Sequence, residues 1–294
     1  MKTYNKTKGV KYTFSGHESF PCKSLWLKKG YDFLINGNDF NSPSAVMDLG
    51  VGKNMVASIR YWLKVFGVTK NNQVTWIAKY LFDDKDGKDR YLEDIATLWL
   101  LHFILVYSEE ATLYSMLFCG LQRERTHFER EQVQSYVKLK MAEAGKISLY
   151  NNNTVKKDIG VLLQNYTLPR KPQSNEDYSS LLIDLDLIRQ NSEGKGYYFN
   201  IDGKRKVTKE IFLYALLILK EEEGDSTISF DTIQEKIGLV FCMKDYESIE
   251  LLKQLSNKYK RFFAYSDVAG IKQIQFISDL DYKTVLDEYY DSTI

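Results

Sequence analysis

His17 and Glu18 stand side by side in the run Gly16-His17-Glu18-Ser19-Phe20-Pro21. An imidazole beside a carboxylate could ligate a metal or pass a proton, so this pair is the first candidate for catalysis. In a turn, the same two residues also serve as ordinary hydrogen-bonding or helix-capping groups. A second constellation is basic: Lys53, Arg60, Lys64, Lys70 and Lys79 lie between Leu49 and Phe82, a stretch with no acidic residue. Phosphate attraction is the physical consequence. A helix over Lys53 to Phe66 with Val56, Ile59, Trp62, Leu63 and Phe66 inward would turn Lys53, Asn54, Ala57, Ser58 and Tyr61 outward. Asn54 suits an adenine edge and Lys53 a guanine or a phosphate, while Arg60, Lys64 and Lys70 suit the DNA backbone. A third run holds Lys146, Lys156, Lys157, Arg170 and Lys171, with Asp158 the only acid between Lys146 and Lys171. Lys156 and Lys157, early in a predicted helix, offer a second DNA contact; a plain solvated helix face is the alternative.

Other chemistries fail on spacing. Gly50-Val51-Gly52-Lys53-Asn54 has a superficial likeness to a phosphate-cradling loop. A P-loop would need glycine where Met47 stands and Ser or Thr where Asn54 stands, and a dinucleotide loop would need its third glycine at Met55. Cys22, Cys119 and Cys242 are odd in number and far apart, which argues against a disulfide framework and a zinc finger and favours a reducing compartment, the cytoplasm. His102 falls in an apolar stretch and reads as a core histidine. Asp94 reads as a favourable charge at that helix's start, and His127 as surface. No metal ligand set is identifiable from spacing.

The elements that must position these residues follow from periodicity and punctuation. Lys23 to Leu34 has helical apolar spacing. Ser42 and Pro43 open a second helix that Gly50 and Gly52 break before the Lys53 helix, a helix-turn-helix signature. Gly67 ends that helix, and the turn Lys70 to Gln73 followed by VTWIAKYLF suits the strands of a wing. Tyr91 to Tyr107 and Ala111 to Leu121 read as apolar helices, then Phe128 to Ala144, Asn153 to Tyr166 and Tyr178 to Ile188 as further helices, with a hairpin around Gly194 to Gly196. Helices over Thr208 to Glu223, Phe230 to Ile237 and Tyr246 to Tyr259 precede strands Arg261 to Ser266 and Ile271 to Ile277, and the acidic end from Asp279 caps the fold. With 44% apolar and 14% aromatic residues the chain fills real cores, and its net charge of +1 places any nucleic-acid affinity in local patches. The opening residues carry no apolar signal core, and the longest apolar run, Ala96 to Tyr107, is too short to cross a bilayer.

The motifs GHESFP (Gly16 to Pro21), LGVGKNMVASIRYW (Leu49 to Trp62), LEDIATLWLLH (Leu92 to His102), TVKKDIGVLL (Thr154 to Leu163) and AGIKQI (Ala269 to Ile274) together resemble a prokaryotic family, domain of unknown function 4007. Ser19 stands where that family usually has threonine, and Ile95 and Ala96 depart from its pattern. The resemblance implies a place in bacterial defence loci beside genes for sulfur transfer to the DNA backbone. It also implies a cysteine desulfurase, a sulfurtransferase and an ATPase as partners, and DNA nicking as one role.

The expected fold is mainly α with small β wings, built as two or three winged-helix (helix-turn-helix) modules over residues 1–90, 91–205 and 206–294. The expected function is binding of double-stranded DNA as an accessory subunit of a phosphorothioation-linked modification or anti-phage system, with no membrane involved. The competing expectations are a DNA nickase using His17 and Glu18 with Mg2+ or Mn2+, and a protein-contacting adaptor or transcriptional regulator.

Overall fold

The structure, a computed structural model, describes residues 12–108, 110–169 and 179–293. Arg170, Lys171 and Tyr178 lie outside them. Contacts divide the chain into two compact units that meet in sequence between Arg205 and Lys206; residues 12–90 and 91–205 belong to one unit.

The first unit opens with α1 (Trp26–Ile35), α2 (Ala45–Leu49) and α3 (Lys53–Val65). Phe33, Ala45, Leu49 and Val56 bury one another at the meeting of the three helices. Gly50, at φ 61°, ends α2 in the left-handed conformation, and Gly52 turns the chain into α3. Helix α2 begins two residues later than Pro43 suggested, because Ser42 to Ser44 form a turn in which the Ser42 carbonyl accepts the Ala45 amide. After α3, β1 (Thr69–Lys70) and β2 (Gln73–Val74) form a minimal hairpin. Asn71 and Asn72 at its tip have φ of 52° and 60°, as a two-residue turn with both residues left-handed requires.

The remainder of VTWIAKYLF corrects the strand expectation, since it forms α4 (Trp76–Phe82). Thr75 caps α4 by accepting the Ala78 amide, and Ile77, Ala78, Leu81 and Phe82 are buried at helical rather than alternating spacing. Asp94 caps the almost wholly buried α5 (Ile95–Tyr107) by accepting the Ala96 amide at 2.8 Å. Helix α6 (Thr112–Ser115) continues through a π-helical turn into α7 (Gln122–Glu124). Then come β3 (His127–Phe128), α8 (Arg130–Glu143) and α9 (Asn152–Tyr166), the last capped by Asn151. The predicted helix from Tyr178 to Ile188 is corrected among its described residues to a single 3-10 turn, Ile183–Leu185. Asp186, at φ 53°, breaks it, and Ile188 enters β4 (Ile188–Gln190). The predicted hairpin pairs β4 with β5 (Tyr197–Phe199), and the antiparallel sheet has the order β3-β5-β4.

The second unit contains α10 (Lys209–Glu223), β6 (Thr227–Ser229), α11 (Phe230–Ile233) with a following π-helical turn, and α12 (Asp245–Lys258). It ends with β7 (Phe263–Val268), β8 (Ile271–Phe276) and α13 (Tyr282–Thr293). Its antiparallel sheet has the order β6-β8-β7, so a first strand, two helices and a hairpin recur in the same arrangement as β3, α8, α9, β4 and β5. Val285, Leu286 and Tyr290 are buried where α13 packs on α10. The protein is mainly helical with small antiparallel sheets. Among the described residues, no helix is long and apolar enough to cross a membrane.

Candidate nucleic-acid interface

Helix α3 buries Val56, Ser58, Ile59, Trp62, Leu63 and Val65 and exposes Lys53, Asn54, Ala57, Arg60 and Lys64. The exposed residues form one row, with helical spacing aligning them along a single face. Ser58 corrects the expectation that it faces outward. It lies four and seven residues before Trp62 and Val65, on the buried stripe, and its hydroxyl finds no hydrogen-bond partner. Tyr61 is corrected likewise: it is half-buried, with its ring against Gly16 and edge-on to His17 at 5.9 Å. Burial, with the charges of Asp158 and Glu110 adding to it, pushes the Tyr61 hydroxyl pKa up and keeps it neutral.

The basic groups on this face are not equivalent. Arg60 donates to the Oδ1 atoms of Asn41 at 2.8 Å and of Asn72 at 3.3 Å, which ties α3 to the segment before α2 and to the hairpin tip. A guanidinium has five N–H donors, so this bracing leaves others for a phosphate. Lys64 is neutralised by Glu110 at 2.7 Å. Lys53 and Lys70 are exposed and make no ion pair among the described residues. The same holds for Lys156 and Lys157 in the first turns of α9.

The structure does not bring His17 and Glu18 to one point. His17 is buried, 5% exposed, whereas Glu18 is exposed. The Ser19 amide donates to His17 Nδ1 at 3.1 Å, which makes Nδ1 the lone-pair nitrogen and places the ring proton on Nε2. That proton is donated to Asp158 Oδ1 at 2.9 Å, and Asp158 Oδ2 accepts the Ser15 amide at 2.7 Å. The imidazole also stacks on Trp62 of α3, with centroids 6.4 Å apart, and Trp62 Nε1 donates to the Phe20 carbonyl at 3.1 Å. Residues 15–20 are thus pinned to α9 on one side and to α3 on the other. Their backbone is strained: Ser15, Glu18 and Ser19 have φ of 73°, 47° and 66°. Gly16 has φ 104°, and a Cβ there would lie 2.5 Å from the Tyr61 ring, so glycine is required on two counts.

As placed, His17 and Glu18 do not form a ligand pair, because His17 is buried with both ring nitrogens hydrogen-bonded whereas Glu18 is exposed. No group of three His, Cys, Asp or Glu side chains among the described residues is placed to hold a metal ion. Asp158 is the residue that sequence reasoning missed. Its signal was present: a lone acid in a basic run, in register with Val155, Leu162 and Asn165 on the inward stripe of α9. His102 is a fully buried core histidine, with Nδ1 2.8 Å from the Tyr166 hydroxyl, and His127 is exposed, both as expected. Cys22, Cys119 and Cys242 form no disulfide.

The fold and these contacts define a helical protein with small antiparallel sheets, in which a strained N-terminal loop is clamped between two helices that each expose lysines. The chain belongs to the family described as protein of unknown function, DUF4007, whose model matches residues 14–290. Two solved structures are similar to it. One, described as the SspB crystal structure, has a TM-score of 0.84 at 25% identity over 96% of this chain and 88% of that chain. The other, described as magnesium ion-bound SspB, has a TM-score of 0.83 at 24% identity over the same shares. No curated protein sequence matches.

Proposed function

We propose that this protein binds double-stranded DNA through winged-helix modules, as an accessory subunit of a phosphorothioation-linked modification or anti-phage system. A cysteine desulfurase, a sulfurtransferase and an ATPase are its expected partners. The observation that carries the DNA-binding reading is the exposed row Lys53, Asn54, Ala57 and Arg60 on α3, followed by a hairpin that carries exposed Lys70. In this reading the row enters the major groove, Asn54 reads a base edge, and Lys53, Arg60 and Lys70 hold phosphates. Helix α9 presents Lys156 and Lys157 in the equivalent position of a second module.

The second unit differs in charge. Residues 206–294 carry 11 Lys or Arg against 16 Asp or Glu, whereas residues 1–205 carry 29 against 23. Helix α12, the counterpart of α9, begins with Asp245, Glu247 and Glu250, which repel phosphate. The second unit therefore serves contacts with protein rather than DNA.

Substituting Lys53→Ala together with Arg60→Ala is expected to weaken duplex binding about tenfold or more and to reduce the salt slope by roughly 2, one for each phosphate contact removed. Fluorescence anisotropy across a salt series measures both. Unchanged affinity and slope would remove α3 from the interface.

A second reading, DNA-strand nicking, is favoured by the strained loop that presents Glu18, since strain of this kind gathers at functional sites. Supercoiled plasmid incubated with the protein and Mg2+ or Mn2+, then stripped of protein, should convert to open circle. The conversion should vanish with Glu18→Ala. Equal conversion by that variant would take Glu18 out of the reaction.

A further inference from the structure

The clamp at residues 15–22 joins the two elements that carry the exposed lysines. On α9, Asp158 accepts from the Ser15 amide and from His17, and Asn165, seven residues later on the same stripe, accepts the Cys22 amide at 2.9 Å. On α3, Trp62 stacks on His17 and donates to the Phe20 carbonyl, while Tyr61 closes over Gly16. The contacts to α9 connect residues more than 140 positions apart in the chain, and two of the three hydrogen bonds are buried. A solvated strap would leave the two helices free to shift, whereas buried and satisfied hydrogen bonds at both edges fix their offset.

We infer that residues 15–22 register α3 against α9, so that the Lys53–Asn54–Arg60 row and the Lys156–Lys157 pair engage one duplex as a single composite interface. His17 and Asp158 act as positioning residues. This rests on the DNA-binding reading above. The physical gain is preorganisation: two contact rows held at a fixed offset bind together without either having to find its place after the other has bound. His17 then has a role that needs no free ring nitrogen, consistent with both being engaged.

The test measures binding of the full-length protein to a labelled duplex of mixed sequence, by anisotropy across a salt series. In the wild-type background, Lys156→Ala with Lys157→Ala should weaken binding about tenfold and reduce the salt slope by roughly 2. In a His17→Gln background, binding should already be weaker with a smaller slope, and the same lysine substitutions should change affinity by less than about twofold, because α9 no longer sits where the duplex lies. Trp62→Phe keeps an aromatic ring beside His17 but loses the bond to Phe20 and leaves a small cavity at a fully buried site. It loosens the clamp separately, from the α3 side, should His17→Gln fail to fold, and should likewise reduce the dependence on the two lysines. If the lysine substitutions weaken binding equally in all backgrounds, registration is wrong while DNA binding through α9 stands. If neither those substitutions nor Lys53→Ala changes wild-type binding, the DNA-binding reading itself is wrong.

Discussion

Asp158→Ala is expected to lower the stability of the first unit by about 2–4 kcal/mol, a shift of roughly 5–10 °C in its melting temperature. Two donors, the Ser15 amide and His17 Nε2–H, lose their acceptor at a site where Asp158 is only 7% exposed. Each buried donor left without a partner costs about 1–3 kcal/mol. The loop has one way to reduce the loss, which is to let go. Ser15, Glu18 and Ser19 then leave their positive-φ conformations and recover strain of about 1 kcal/mol or more each, so the effect falls short of the sum of two orphaned donors. Asp158→Asn retains one acceptor oxygen and should lose roughly half as much. Lys157→Ala, one residue away but exposed, should stay within about 0.5 kcal/mol of wild type. Thermal melts of the three variants, with hydrogen exchange at the Ser15 and Ser19 amides, decide the matter. A wild-type melt for Asp158→Ala would show that the clamp contributes nothing to the fold.

The role of Asp158 marks where the sequence stopped being legible. Periodicity located α1, α3, α5, α8, α9, α10 and α12 to within a few residues, because each presents a continuous apolar stripe to a core. The hairpin turns were announced by residues that tolerate positive φ, Asn71 and Asn72, Gly194, and Gly270. Periodicity failed where a short apolar run fits either period. In VTWIAKYLF the deciding feature was the Thr75 cap, a local hydrogen bond that β-branched richness masked. Ser58 was misplaced because the buried stripe of α3 extends to Val65 and is wider than its largest residues suggested. The candidate basic row was readable, since it depends on residue type and helical phase alone. The pairing of His17 with Asp158 was not, because it joins positions 141 residues apart and no local pattern encodes such a partner.

Alkaline unfolding is the second large effect. Burial, together with neighbouring Tyr61 and Tyr166, holds the Tyr114 hydroxyl well above the usual tyrosine range. Burial, with Tyr282 and Glu221 adding to it, does the same for Tyr214 in the second unit. For an acid whose folded value is raised, the stability present below the unfolded value, near 10 for tyrosine, is lost as pH climbs from there toward the folded value. Each such tyrosine removes about 1.4 kcal/mol per pH unit across that window, so at pH 11.5 Tyr114 alone should weaken the first unit, and Tyr214 alone the second, by roughly 2 kcal/mol relative to pH 9. Tyrosinate absorbance from these two rings should appear only together with loss of helical circular dichroism. Tyr214→Phe should flatten the alkaline limb of the second unit. The same limb in that variant would mean that other groups drive the transition.

The distance between the loop and its anchor also matters during synthesis. Residues 15–20 leave the ribosome well before Asp158 and Asn165, which follow their partners in the loop by 141 and 143 residues. Until then α1, α2 and α3 can close on Phe33, Ala45, Leu49 and Val56, but the strap beside α3 has nothing on α9 to hold it. Vectorial folding therefore assembles the helices first and locks their N-terminal strap last, and a nascent chain truncated before Asp158 carries α3 without its lock.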